Sequence, residues 1–176
     1  MTDEQLPLIY LSILLVLLAI AGFLVFSQVF KVRKTEGKIS KLQNKLKKEK
    51  GTALDYYELA SLYLDKKLYT QAAKLFQKAL KSGNIEAENK ALIHNGLGYS
   101  YFANEQYDVA IRQYKEALDY NPEYIIALNN LAFAYERKKL LPAAIETYER
   151  TLKCDPNNAT AKRRVEALRK RFVSSS

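Results

Sequence analysis

The chain has 176 residues, of which 48% are hydrophobic and 27% charged, with one Cys, one His and a formal net charge of +9. A single Cys154 excludes an internal disulfide, and a single His94 excludes a multi-histidine metal centre. The basic balance admits nucleic acid or an anionic membrane as a partner, so its distribution along the chain decides.

The first element is Leu6–Phe30, LPLIYLSILLVLLAIAGFLVFSQVF, 25 residues without a charge. As a helix it is roughly 37 Å long, enough to cross a ~30 Å hydrocarbon core with some tilt. Small residues at Ala19–Ala21 resemble a signal-peptide cleavage site. A signal peptide, however, wants a positive leading segment, and Asp3 and Glu4 stand there instead. The expectation is a retained anchor, residues 1–30 with the span at 6–30. Lys31, Arg33 and Lys34 follow it, so the positive-inside rule sets the N-terminus on the trans or lumenal side. The C-terminal body then faces the cytoplasm or its organellar equivalent.

Residues 31–52 read as a basic linker. Lys31–Lys50 carries nine Lys/Arg against Glu36 and Glu49, a net +7, and Lys162–Arg171 adds +5, while the body between them nets −1. The excess charge therefore sits in end segments. The linker has no aromatic residue to stack on bases, which argues against nucleic acid. Lys31, Arg33 and Lys34 are the candidate membrane-surface residues. Ile39, Leu42 and Leu46 recur at helical spacing. This leaves two readings open: an amphipathic helix lying on anionic lipid, or a solvated stalk that enforces topology.

Beyond the linker the chain repeats itself. A shift of 34 residues brings Leu97, Tyr101, Ala110, Ile111, Tyr114, Leu118 and Pro122 onto Leu131, Tyr135, Ala144, Ile145, Tyr148, Leu152 and Pro156. A shift of 38 brings Leu59, Ala60, Tyr63, Tyr69, Ala72, Phe76, Ala79 and Leu80 onto Leu97, Gly98, Tyr101, Tyr107, Ala110, Tyr114, Ala117 and Leu118. The first copy thus carries about four extra residues before the second, around SGNIEAENK. Each copy reads as two amphipathic helices joined by a short turn. Gly98 and Ala110 are small where helices approach closely, and Tyr101 and Tyr114 fill the neighbouring volume. Pro122 and Pro156 end helices, whereas Pro142 fits a first helical turn.

The Leu-Gly, Tyr, Ala, aromatic, Pro pattern at this period resembles the tetratricopeptide repeat (TPR) family. The resemblance covers about 60% of the chain as three copies, near 53–86, 91–124 and 125–158. One departure is the missing Trp of the early aromatic position, where Tyr56, His94 and Leu128 stand. The resemblance implies an all-α fold: an anchor helix, then an α-solenoid of three helix pairs. Residues 159–176 supply a capping helix, with Ala161, Val165, Leu168 and Phe172 as its thin apolar stripe, and a tail.

In the family the first helix of each pair lines a concave groove. The groove residues expected here are Tyr57, Ser61 and Leu64, then Asn95, Tyr99 and Phe102, then Asn129, Phe133 and Glu136, with Arg163 from the cap. Asn amides can hold an extended backbone, and aromatic side chains supply contact area at low entropic cost. Cover of Phe102 and Phe133 by neighbouring repeats is the alternative. The carboxylate clamp of chaperone-binding members is matched only at Asn130 and Arg164. Asn95, Tyr99 and Thr160 replace its Lys, Asn and Lys, so no such clamp is expected. No phosphate loop or nucleophile motif appears, His94 lies on a packing stripe and Cys154 lacks a partner. A non-enzyme without cofactor or metal is expected.

The general reading is a membrane-anchored scaffold for protein–protein interaction. A short acidic N-terminus, one span, a basic stalk and three repeats also resemble the photosystem I assembly TPR proteins of cyanobacteria and plastids. That resemblance implies a thylakoid location, a stromal or cytoplasmic body and photosystem I subunits or intermediates as partners. The alternative is a TPR receptor or adaptor in another membrane, serving import, secretion or envelope assembly.

Overall fold

A computed structural model describes residues 5–83 and 85–174, with side chains described for 10–83 and 85–171. Among these residues the chain forms eight α-helices and no strand. It divides into two compact units, residues 1–44 and 45–176.

Helix α1 (Gln5–Lys48) contains the apolar stretch. Its side chains are exposed all round from Tyr10 to Lys34. A helix apolar on every face has no core to point into and is suited to lipid, and this one is long and apolar enough to cross a membrane. It does not stop at Phe30. Residues 31–48, read as a linker, continue the same helix. The stretch has no Pro, and Thr35 satisfies its hydroxyl by bonding back to the Lys31 carbonyl at 3.1 Å. Ile39 and Leu42 of its apolar stripe are buried.

The second unit holds the repeats. Its helix pairs are α2 (Ala53–Asp65) with α3 (Tyr69–Lys81), α4 (Ala87–Ala103) with α5 (Tyr107–Tyr120), and α6 (Ile125–Arg137) with α7 (Leu141–Cys154), followed by α8 (Ala159–Ser174). Each helix packs on the next, and the first helices of successive pairs also touch, α2 on α4 and α4 on α6. Second helices do not pack on one another in this way, so the layer of first helices is the inner, concave one.

The caps explain the boundaries. Thr52 and Asp55 form a reciprocal capping box at α2, and Lys45 Nζ reaches Asp55 Oδ1 at 2.7 Å. The Lys45 ammonium and the Thr52 donors hold the Asp55 carboxyl below its ordinary value. Within each pair the turn places a non-glycine residue at positive φ: Lys67 (59°), Glu105 (60°) and Lys139 (59°). The next N–H, of Leu68, Gln106 and Leu140, bonds back to the carbonyl of Tyr63, Tyr101 and Tyr135 at 2.8, 2.9 and 2.9 Å. This is a left-handed helix stop, built three times without glycine. The Pro-containing connections use a side chain instead: Asn121 Oδ1 accepts the Glu123 N–H at 3.2 Å, and Asp155 Oδ1 accepts the Asn157 N–H at 3.1 Å.

The four extra residues are absorbed as helix. α4 has 17 residues where α2 and α6 have 13, one added turn at its N-terminus. In the core, Phe76, Tyr114 and Tyr148 are fully buried one register apart. A Cβ on Gly98 would lie 2.7 Å from the Tyr114 ring, so the small residue read from the repeat is required by close approach. Val165 and Leu168 of α8 close the array, as expected of a cap. The Phe172 side chain lies outside the described residues.

Candidate partner-binding face

The inner layer has a regular feature that a search for packing stripes passes over. Leu54, Leu92 and Ile126 occupy the same position near the start of α2, α4 and α6, and are 67%, 37% and 56% exposed. They face outward although their chain neighbours point into the core: Asp55 beside Leu54, Ala91 and Ile93 beside Leu92, and Ala127 beside Ile126 are buried. Comparing all apolar residues in the repeat register, and not only the packing ones, would have found them.

Between α2 and α4 the first two members of this row border a cleft of about 410 Å³. Leu54, Tyr57, Ile85, Leu92 and Ile93 give it an apolar wall, and Glu86 and Asn89, beside the added turn of α4, give it a polar rim. A somewhat larger cleft, about 460 Å³, lies on the outer side between α5 and α7. Its rim is charged with both signs and partly engaged within the fold. Arg150 donates to the Pro122 carbonyl at 2.8 Å, and Glu149 accepts from Arg169 at 2.6 Å. The inner cleft offers desolvated apolar area, which is what anchors a partner side chain.

The residues expected in the groove fall into three groups. Tyr99 is 42% exposed, with its ring edge against Tyr69 at 6.3 Å, and Arg163 is exposed. Tyr57 is half-buried against Phe76 at 5.8 Å and lines the inner cleft. Phe102 and Phe133 are half-buried on each other at 5.3 Å, with Tyr107 on one side and the Arg164 guanidinium over Phe133 at 5.4 Å. Each therefore offers one edge and not a whole ring.

Of the remaining polar groups, Asn95 and Glu136 are engaged inside the fold. Asn130 Nδ2 donates to Asn95 Oδ1 at 3.0 Å, and Asn95 Nδ2 donates to the Tyr124 hydroxyl at 3.4 Å. Glu136 accepts from the Tyr148 hydroxyl at 2.7 Å and lies 3.5 Å from Arg164. Burial, and then the bond to Glu136, push the Tyr148 phenol far above its ordinary value, so it stays a donor. Asn129 Oδ1 is buried and unpaired. Asn130 and Arg164, the two residues matching the chaperone clamp, are thus both occupied.

Other residues singled out in the sequence are placed simply. His94 Nδ1 lies 3.0 Å from Gln113 Oε1, and its ring stacks on Tyr120 at 5.7 Å. Cys154 is an exposed free thiol. Among the described residues no group of His, Cys, Asp or Glu is arranged to hold a metal.

Tetratricopeptide repeat models match residues 52–123 and 95–159, together the whole paired-helix region. The ycf37 protein of Cyanophora paradoxa is 44% identical over 154 residues, covering 88% of this chain and 89% of that one. The chain belongs to the ycf37 family of tetratricopeptide repeat proteins. Another relative, the chloroplastic tetratricopeptide repeat domain-containing protein PYG7 of Arabidopsis thaliana, is 36% identical over 96% of this chain, which spans 56% of its length. The ycf37 fold also matches solved structures. The crystal structure of MamA superposes with a TM-score of 0.73 at 21% identity, over 80% of each chain. The first TPR of Spaghetti (RPAP3), solved with an HSP90 peptide, gives 0.64 at 21% identity, over 71% of this chain and 96% of that one.

Proposed function

We propose that this ycf37-family chain is a scaffold and not an enzyme. Its α1 anchors it in the thylakoid membrane, and its repeats hold a protein segment on their inner face during assembly of photosystem I. The observation that carries the scaffold reading is the register-matched exposed row Leu54, Leu92 and Ile126, running beside the inner cleft and Tyr99. Rows of exposed apolar residues on a repeat array mark a docking surface. The finer reading is supported by the anchor–stalk–repeat layout and by similarity to a chloroplastic relative. Lys31, Arg33 and Lys34 beyond the span favour a stromal or cytoplasmic body. The internal contacts of Asn130 and Arg164 weigh against a chaperone's C-terminal carboxylate as the ligand.

The test is a pull-down of the tagged full chain from membranes of a photosynthetic host, comparing wild type with Leu54→Lys/Leu92→Lys and with Tyr99→Ala/Phe133→Ala. Photosystem I subunits are expected with the wild type. They should fall at least tenfold with the lysine variant, whose exposed positions leave the fold intact. Absence of those subunits from the wild-type eluate ends the photosystem I reading. Their retention by both variants moves the docking surface elsewhere.

A further inference from the structure

Helical continuity of α1 past Phe30 sets its lysines in register. At about 100° per residue, Lys31, Lys34, Lys38 and Lys41 fall within an arc of roughly 80° on one side of the helix. All four are exposed, and no ion pair holds any of them among the described residues. Their only acidic neighbour in the segment, Glu36, lies on the far side of the helix, as does Ser40. A flexible basic linker would have no such face.

We propose that this lysine face binds the anionic headgroups of the leaflet that α1 leaves. The inference rests on the reading of α1 as a membrane span. The bilayer is the occupant favoured, because the apolar stretch ending at Phe30 and Val32 holds Lys31 and Lys34 at headgroup height. The four side chains are all lysines, so the contact is electrostatic and peripheral. It also fades along the helix. Lys41 lies about 15 Å further along the axis than Lys31, beyond a screening length of about 8 Å in physiological salt, and helix tilt recovers only part of that distance.

The full chain is reconstituted in phosphatidylcholine bilayers with and without a minor fraction of phosphatidylglycerol. Native mass spectrometry then counts the phosphatidylglycerol retained. Lys34→Gln should lose about fivefold in retention, Lys38→Gln less and Lys41→Gln least. Lys34→Arg should retain the lipid, and raised salt should release it. Ser40→Glu, on the far side, should change little despite altering the charge. Equal losses on both sides of the helix, or no gradient from Lys34 to Lys41, overturn the proposal. Unchanged lipid retention with loss of an acidic protein from native membranes overturns it in favour of a protein partner. Failure to insert into phosphatidylcholine alone instead refutes the span.

Discussion

The two junctions between repeats are built from the same register, yet they close differently. At the first, α3 meets α4 through Phe76, whose ring fits against Gly96, and an apolar cleft remains beside it. One period on, Asn130 stands where Gly96 did. There the second junction is tied by amides, Asn130 to Asn95 and Asn95 to Tyr124. It is also tied by the Phe102–Phe133 contact. Only the first junction received the extra turn of α4. One insertion and one Gly-for-Asn exchange therefore separate an open junction from a closed one. A repeat array acquires a specific site where its repeats stop being identical.

The largest expected effect tests what holds the open junction. Phe76→Ala removes a fully buried ring opposite a glycine that cannot fill the void. It should cost about 3–5 kcal/mol and lower the thermal midpoint by circular dichroism by more than about 10 °C. A loss below about 1 kcal/mol would mean that the Gly96 approach is incidental. Deleting Ala87–Lys90 asks what the added turn does. Those residues are exposed or half-exposed, and four residues are close to one whole turn, so α4 should stay nearly in register. The midpoint should move by only a few degrees. Retention of the partner in the pull-down should fall about tenfold, near 1.4 kcal/mol, because Asn89 leaves the rim of the cleft. Full binding by the shortened chain would dissociate the cleft from recognition.

Much of this was legible in the sequence, and the reason is packing. Tyr101, Tyr114, Ala110 and Gly98 recur because close helix contacts fix volume, and volume leaves a pattern. The apolar run from Leu6 was legible for the same kind of reason, since its composition has no counterpart in a soluble core. Exposed positions obey no such constraint, and Leu54, Leu92 and Ile126 stood out only once the inner layer was seen. The turns hid for a different reason. Lys67, Glu105 and Lys139 adopt positive φ without the glycine that usually signals it, held there by bonds to the carbonyls of the recurring tyrosines. The continuation of α1 to Lys48 was masked by a charge run that reads as a linker although nothing in it breaks a helix. Glu136 was read as a groove acid because its position faces inward, and its engagement with Tyr148 and Arg164 depends on contacts across helices that spacing along one helix does not report.

The smallest effect bears on the closed junction. Asn130→Ala removes the donor to Asn95 Oδ1 and leaves a half-buried acceptor without its partner. A cost of about 1 kcal/mol is expected, since the net worth of such a bond is modest and the stranded oxygen adds to the loss. Asn95→Leu/Asn130→Leu removes donor and acceptor together. If the amides serve only to satisfy each other, the double variant should be close to wild type in stability, and the coupling should appear as non-additivity in a double-mutant cycle. The same variant turns the second junction apolar, as the first one is. Partner retention unchanged in the pull-down is the expected outcome, because the cleft lies between α2 and α4. Loss of binding at unchanged stability would instead assign the Asn95–Asn130 pair to the recognition surface, and the docking site would then extend across both junctions.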